Sequence, residues 1–240
     1  MIDKKYIDYL SGKKVALVGP AEYLTKLNTG KYIDSFDVVV RVNRGTEVID
    51  KYFNSIGGRT DILYNCLIKS PDNGGDIKVK EYKKNKIKWI ATTPNPYMDE
   101  SSKSIELHKM VSWFTVFKLK WNFNFHIMDP KKYFLINKKV ESRANTGFAS
   151  IFDLLSHNIS KLYITGFSFY LDNFMSGYKY GCERDEKEFA RQCFVSKRHK
   201  QEPQWRYLKE IFEKDKRIEV DEILQKILAM DRLSRNNNIF

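Results

Sequence analysis

Residues 143–170 read RANTGFASIFDLLSHNISKLYITGFSFY, and the rest of the chain can be placed around this stretch. Asn145, Thr146 and Gly147 are cap and turn residues. Phe148, Ile151, Phe152, Leu154 and Leu155 then recur at helical spacing, and Asn158 ends the run. Lys161–Thr165 (KLYIT) is a short strand of β-branched and aromatic residues, and Gly166 follows at its end. Turn, helix, strand and turn make one unit of an α/β sheet. In open sheets of that kind ligands bind outside the carboxyl ends of the strands. The loops at Thr146-Gly147 and at Gly166–Tyr170 are therefore expected to face a ligand. His199 follows downstream as a candidate base.

The same grammar recurs towards the amino terminus. Lys13–Val18 (KKVALV) is a buried strand that ends at Gly19-Pro20, with a helix expected from about Ala21. A nucleotide site at that strand's end is one reading, and a ligand-free turn is the other. One glycine is too few for a dinucleotide fingerprint, and no Gly-Lys-Ser/Thr follows for a P-loop. Val38–Val42 is a second buried strand ending in Asn43-Arg44-Gly45, and Asp61–Tyr64 a third ending in Asn65. An asparagine side chain can donate to and accept from a base edge or sugar hydroxyl, and Arg44 can pair with phosphate. Two strands ending in asparagine suggest a polar floor at one sheet edge, with simple strand-end capping as the alternative. Ile87–Ala91, Asn124–Met128 and Lys216–Val220 supply further strands.

Helical patterns are expected at about 100–118, from Pro203 onward and at about 221–234. Residues 78–86 read as basic helix or loop, and 129–142 as a basic connection. From Leu171 to Arg198 no period holds, and a long irregular stretch in a compact domain is usually a lid or insertion. Strands alternating with helices give an α/β fold with a mostly parallel sheet. The chain, residues 1–240, reads as a single domain with a lid at about 171–198 and a short polar tail at about 235–240.

Composition narrows the partners. A hydrophobic fraction of 42% suits a globular domain with a real core. No apolar run is long enough to span a membrane, and residues 1–12 lack the apolar core of a signal peptide. The expected location is cytoplasmic, at most peripheral at a membrane. The formal net charge is +12, spread through lysine-rich segments. Such a surface suits an anionic partner: a nucleotide-linked substrate, an acidic membrane surface or nucleic acid. A merely solvated lysine-rich surface is the alternative. Cys66, Cys182 and Cys193 match neither a disulfide framework nor a zinc motif. Apart from the loose pair His126 and Asp129, no histidine has a carboxylate at close metal-ligand spacing, so no metal site is expected.

Three segments together resemble a known motif: VALVGPAEYL at 15–24, FDVVVRVNRG at 36–45 and GGRTDILYN at 57–65. They resemble the long amino-terminal motif of sialyltransferases. ANTGFASIFDLL with KLYITGFSFY resembles their second motif, and His199 before a helix resembles the catalytic histidine region. The likeness runs from about residue 13 to 220. The order of strand, Gly-x-x-Phe-Tyr, lid, histidine and helix is similar to the compact bacterial glycosyltransferase family 42. The Arg-x-Asn and Gly-x-Arg-Thr spacings are more like the eukaryotic family 29.

This resemblance implies a three-layer α/β/α, Rossmann-like (GT-A-type) fold of the metal-independent kind, with no cofactor. It implies an inverting transfer of sialic acid or a related acidic sugar from a CMP-linked donor to a hydroxyl of a glycan acceptor. His199 would be the general base. Tyr170, with Tyr178 or Tyr180 from the lid, would support the departing phosphate. Asn43 and Asn65 would contact the nucleotide or sugar, and Thr146 and Gly147 would hold the donor beside Asn145. Gly166, Phe167 and Ser168 would approach the nucleotide, and Gly19 lies at the first strand's end of the same site. Many relatives of this kind assemble into oligomers, so a homo-oligomer is a further expectation, although the sequence carries no interface signature. One departure stands out: Val18-Gly19-Pro20-Ala21 lacks the asparagine that both families favour beside the first glycine turn. A non-catalytic relative that binds RNA or a protein assembly through its basic surface is the competing function. Another nucleotide-sugar enzyme of Rossmann type is a third.

Overall fold

The strands alternate their side chains between two buried faces, and that alternation sets the layers. The computed structural model describes residues 4–68, 74–94, 115–178 and 186–235. Its sheet has seven strands: β1 (Lys14–Val18), β2 (Val38–Val42), β3 (Ile62–Tyr64), β4 (Trp89–Thr92), β5 (Asn124–Ile127), β6 (Lys161–Thr165) and β7 (Ile218–Val220). Their order is β5-β4-β3-β2-β1-β6-β7. All neighbouring pairs are parallel, so the expected three-layer α/β/α fold is the one observed.

Val15 and Leu17 of β1, Val40 of β2 and Leu162 and Ile164 of β6 point to one face. There they meet apolar residues from the helices Lys4–Leu10, Thr146–Leu155, Gln201–Lys214 and Glu222–Leu228. Ala16, Val18, Val39 and Tyr163 point the other way. They pack on the short helices Gly30–Asp34 and Ile49–Ile56 and on the 3-10 turn Glu22–Lys26. Period-two alternation on a doubly covered sheet explains why these strands read as continuous apolar runs. Arg41 of β2 is the exception in that run. Its buried guanidinium donates to the carbonyls of Ile56, Gly57 and Arg59 and to the Thr60 hydroxyl. Burial draws its pKa down to about 10.

Some expectations need correction. The connection after β5 is a helix, Pro130–Lys139. Asp129 caps it by accepting from Lys131 N at 2.8 Å, and proline stands in its first turn. Only Tyr133 and Ile136 bury, so the apolar stripe was too thin to read. The irregular stretch contains a second unforeseen helix, Glu186–Phe194. The segment after β1 forms a 3-10 turn rather than a regular helix. The closing helix is shorter than expected, Glu222–Leu228. Of the helix expected at 100–118, residues 115–118 are described and are helical; the others lie outside the described residues. Among the described residues no helix is long and apolar enough to cross a membrane.

Strand order reverses beside β1, which pairs with β2 on one side and β6 on the other. The two strand ends meet there as backbone against backbone. Gly19 N donates to Thr165 O at 2.8 Å, and Ala21 N to Gly166 O at 3.1 Å. A Cβ on Gly19 would lie 2.3 Å from Gly166 O, and a Cβ on Gly166 would lie 2.6 Å from Gly19 O. Gly166 also has φ +76°, a region that favours glycine.

Gly19→Ala is therefore expected to lower stability by roughly 2 kcal/mol or more, since the contacted atoms are backbone and cannot rotate away. Thermal melting of the purified variant checks this. A midpoint equal to that of the wild type would show that the two turns are not locked together.

Candidate functional site

A cavity of about 430 Å³ opens at the strand reversal. Its walls come from the ends of β1, β2 and β6, the start of the helix Thr146–Leu155, the segment 167–178 and the start of the helix Gln201–Lys214. A crevice at a topological switch point is where an open α/β sheet binds its ligand.

The two loops singled out in the sequence touch each other here. Asn145 caps its helix by accepting from Phe148 N at 2.9 Å. A Cβ on Gly147 would come within 3.0 Å of the Phe167 ring, so glycine lets the aromatic lie over the helix start. Phe169 and Tyr170 both have positive φ, 51° and 58°, an uncommon conformation for bulky residues. That turn carries the chain back across the Gly19–Glu22 loop. Ala21 bridges Phe174, Met175 N donates to Pro20 O at 2.9 Å, and Tyr23 N donates to Asp172 at 2.6 Å. Tyr178 is then buried, its ring stacked on Phe174 and its hydroxyl donating to Val42 O at 3.2 Å. Burial pushes the Tyr170 and Tyr178 phenols well up. Both stay protonated at neutral pH, and the single hydrogen of Tyr178 is already given to Val42 O.

His199 stands opposite, half-buried, beside Arg143 and Arg198. Its Nδ1 lies 2.6 Å from Arg143 O. A carbonyl can only accept, so Nδ1 carries the hydrogen and Nε2 keeps its lone pair. Burial, with the two neighbouring arginines, lowers its pKa to about 4; the Arg143 carbonyl opposes that shift. The histidine loop is held on the same strip of chain, since Arg143 N donates to Arg198 O at 3.2 Å.

Comparison with known proteins gives this site its family. The family model described as glycosyltransferase family 29 (sialyltransferase) matches residues 4–147, more than half of the chain. The chain belongs to glycosyltransferase family 29. It is thus a sialyltransferase-like glycosyltransferase. Two solved structures show the same fold. A mammalian sialyltransferase in complex with Gal-beta-1-3GalNAc-ortho-nitrophenol matches with a TM-score of 0.52 at 15% identity, covering 90% of this chain and 71% of that one. The sialyltransferase CstII from Campylobacter jejuni, in complex with cytidine-5'-monophosphate, matches with a TM-score of 0.52 at 14% identity, covering 88% and 79%. A comparison with curated proteins gives no match.

In this family 29 chain most residues singled out in the sequence come together. Asn43, Asn145, Thr146 and Gly147 border the cavity, as do Gly166, Phe167 and Ser168. Tyr170, Tyr178 and His199 do so too. Gly19 and Asn65 do not border it. Gly19 packs behind the floor. Asn65 is fully buried, donating to Gly74 O at 3.1 Å and accepting from Leu67 N at 2.7 Å. Asn43 faces the cavity with φ 48° while its Oδ1 accepts from Cys66 N at 3.0 Å. Arg44 is directed elsewhere: it forms a two-pronged pair with Glu47, at 2.7 and 3.1 Å. Tyr180 lies outside the described residues.

Sequence reasoning missed Arg143, Arg198 and Gln204. Gln204 is fully buried, donates to Lys200 O at 3.0 Å, and has no partner for Oε1 among the described residues. It sits one turn beyond Gln201, and both border the cavity. The signal was present: residues three apart in a helix that starts two residues after a candidate base share one face.

The depressed pKa of His199 has a sign. The unfolded chain takes up a proton near 6.5, the folded chain only near 4. The stability contributed by keeping this ring neutral is fully present above pH 6.5 and is lost as pH falls towards 4. His199→Asn is expected to flatten the acid limb of stability between those values, read from denaturant midpoints at several pH values. An unchanged limb would show that His199 titrates normally.

Proposed function

We propose that the chain is an inverting glycosyltransferase that moves sialic acid, or a related acidic sugar, from a CMP-linked donor to a hydroxyl of a glycan acceptor. The observation that carries this reading is His199, whose Nδ1 is fixed on the Arg143 carbonyl so that Nε2 has a lone pair at the switch-point cavity. The C. jejuni neighbour, which shares the fold, is described with cytidine-5'-monophosphate bound.

An acceptor hydroxyl is a poor nucleophile until its proton is removed. In the proposed step its oxygen bonds to the anomeric carbon of the donor sugar while the bond from that carbon to the phosphate oxygen breaks. Inversion follows from attack on the opposite face. The hydroxyl proton goes to Nε2 of His199, and CMP leaves with the electron pair. A base of pKa about 4 is weak, but a donor that carries carboxylate and phosphate charge raises a neighbouring histidine towards neutrality. Donor binding thereby strengthens the base at the moment it is needed.

The charge developing on CMP is met by groups of this chain. The protonated phenol of Tyr170 borders the cavity, and so do Arg143 and Arg198; Tyr178 also borders it, and could donate only by releasing Val42 O. Preorganised donors and cations of this kind stabilise a departing phosphate without a metal or cofactor among the reacting groups. Gln204 Oε1, a buried acceptor without a partner among the described residues, suits a ligand hydroxyl or the cytosine amino group.

Two measurements test the reading. CMP should raise the melting midpoint of the protein by mass action, with UMP, UDP and GDP giving no shift. His199→Ala should retain the CMP shift and lose about 10²–10⁴-fold in turnover of CMP-sialic acid. A response to another nucleotide would change the donor, and full turnover in His199→Ala would remove the base. Salt-dependent RNA binding with no CMP response would favour a non-catalytic relative instead.

A further inference from the structure

His126, Asp153 and His157 converge in the interior, away from the cavity. Tyr64 of β3, Ala91 of β4 and His126 of β5 lie in one row across the sheet. The small alanine between them lets the outer two approach the same point on the covering helix. That helix, Thr146–Leu155, brings Asp153, and the turn after it brings His157. Asp153 is eight residues from Asn145, so the cluster lies about 12 Å along the helix from the site.

His126 Nε2 is 2.9 Å from Asp153 Oδ2, and His157 Nε2 is 3.8 Å from Asp153 Oδ1. The three side chains are 8%, 3% and 9% exposed, and one ligand atom from each lies within 4.8 Å of the others. The distance of 3.8 Å is too long for a hydrogen bond, and His157 Nε2 has no partner among the described residues. Two ligands of a tetrahedral ion with bonds near 2.0–2.1 Å stand about 3.3 Å apart, between the two separations found here. The carboxylate is also held ready. Tyr64 OH donates to Oδ2 at 2.6 Å and is itself 2.9 Å from the Tyr6 hydroxyl. A relay of this kind is the outer support that metal-bound carboxylates need. The Tyr6 ring covers His126, stacked at 3.8 Å and 12°.

We propose that His126, Asp153 and His157 form a structural site for a zinc-class divalent cation, with water as the fourth ligand. Two imidazoles and one carboxylate suit a borderline metal better than calcium or magnesium, which prefer oxygen. The ion would give the bare nitrogen of His157 a partner and leave His126 Nδ1 as it is. It would fasten the edge strand β5 to the helix whose start borders the cavity. It takes no part in the transfer chemistry.

The test uses untagged full-length protein purified without added metal. Elemental analysis is expected to give about one zinc per chain, and Co²⁺ exchange to give the visible bands of a tetrahedral nitrogen–oxygen site. Asp153→Asn and His157→Gln should lose both signals, while His199→Ala should keep them. Wild-type protein without transition metal, without cobalt bands and with a melting midpoint indifferent to chelator and to Zn²⁺ would overturn the proposal. Those wild-type measurements decide the question even if the variants fail to fold.

Discussion

At the centre of the sheet two strand ends come together so closely that neither can carry a Cβ. The contact between Gly19 and Gly166 fixes where β1 and β6 stop. A buried carboxylate stabilises the same junction from behind. Asp221 accepts from the hydroxyls of Tyr23 and Thr165, both at 2.7 Å, and from Leu224 N at the start of the closing helix. Tyr23 OH in turn accepts from Gly166 N at 2.9 Å. The loop after β1, the loop after β6 and the helix after β7 therefore share one hydrogen-bonded knot. The crevice in front of it is a consequence. With the two strand ends held level, the next residues of each loop must diverge, and the gap between them is the cavity.

In front of that floor, the proposed catalytic residues are held by backbone contacts. His199 is oriented by a carbonyl, and Tyr178 is anchored by one. A carbonyl offers no proton and does not titrate, so the tautomer of His199 is fixed across the working pH range. The cost appears in basicity. A ring that is half-buried and flanked by Arg143 and Arg198 loses affinity for a proton. The same arginines would attract the anionic donor that restores it. In the proposed mechanism one local charge arrangement thus keeps His199 unprotonated in the empty cavity and couples its strengthening to donor binding.

The sheet was legible because doubly buried parallel strands announce themselves as short apolar runs with a turn residue at each end. The helix Thr146–Leu155 was legible for a related reason: most of it is buried, and its cap is an asparagine. Pro130–Lys139 was not, because a helix that buries only Tyr133 and Ile136 leaves almost no period in a lysine-rich background. Glu186–Phe194 failed similarly, with an apolar fringe too sparse to stand out. In the site, residues adjacent in sequence to a motif were found, while Arg143, Arg198 and Gln204 were missed. Their role depends on the histidine loop folding back onto residues 142–144, a pairing of positions more than fifty apart that no local pattern encodes. Asn65 shows the converse. Its type suited a ligand contact, but Gly74 O and Leu67 N engage the two ends of its amide.

The helix Thr146–Leu155 joins two regions that have different physical demands. Its first turn must be open and polar, since it borders the cavity. Its last turn is closed, with Asp153 ionised in a nearly dry interior among two histidines and two tyrosines. A helix transmits position along its axis, so the angle at which Asn145 and Thr146 meet the cavity depends on how firmly the far end is held. That far end rests on β5, which among the described residues is an edge strand paired only with β4. Edge strands are the least constrained members of a sheet. A side-chain cluster that ties β5 to the helix therefore constrains the helix at the end opposite the cavity.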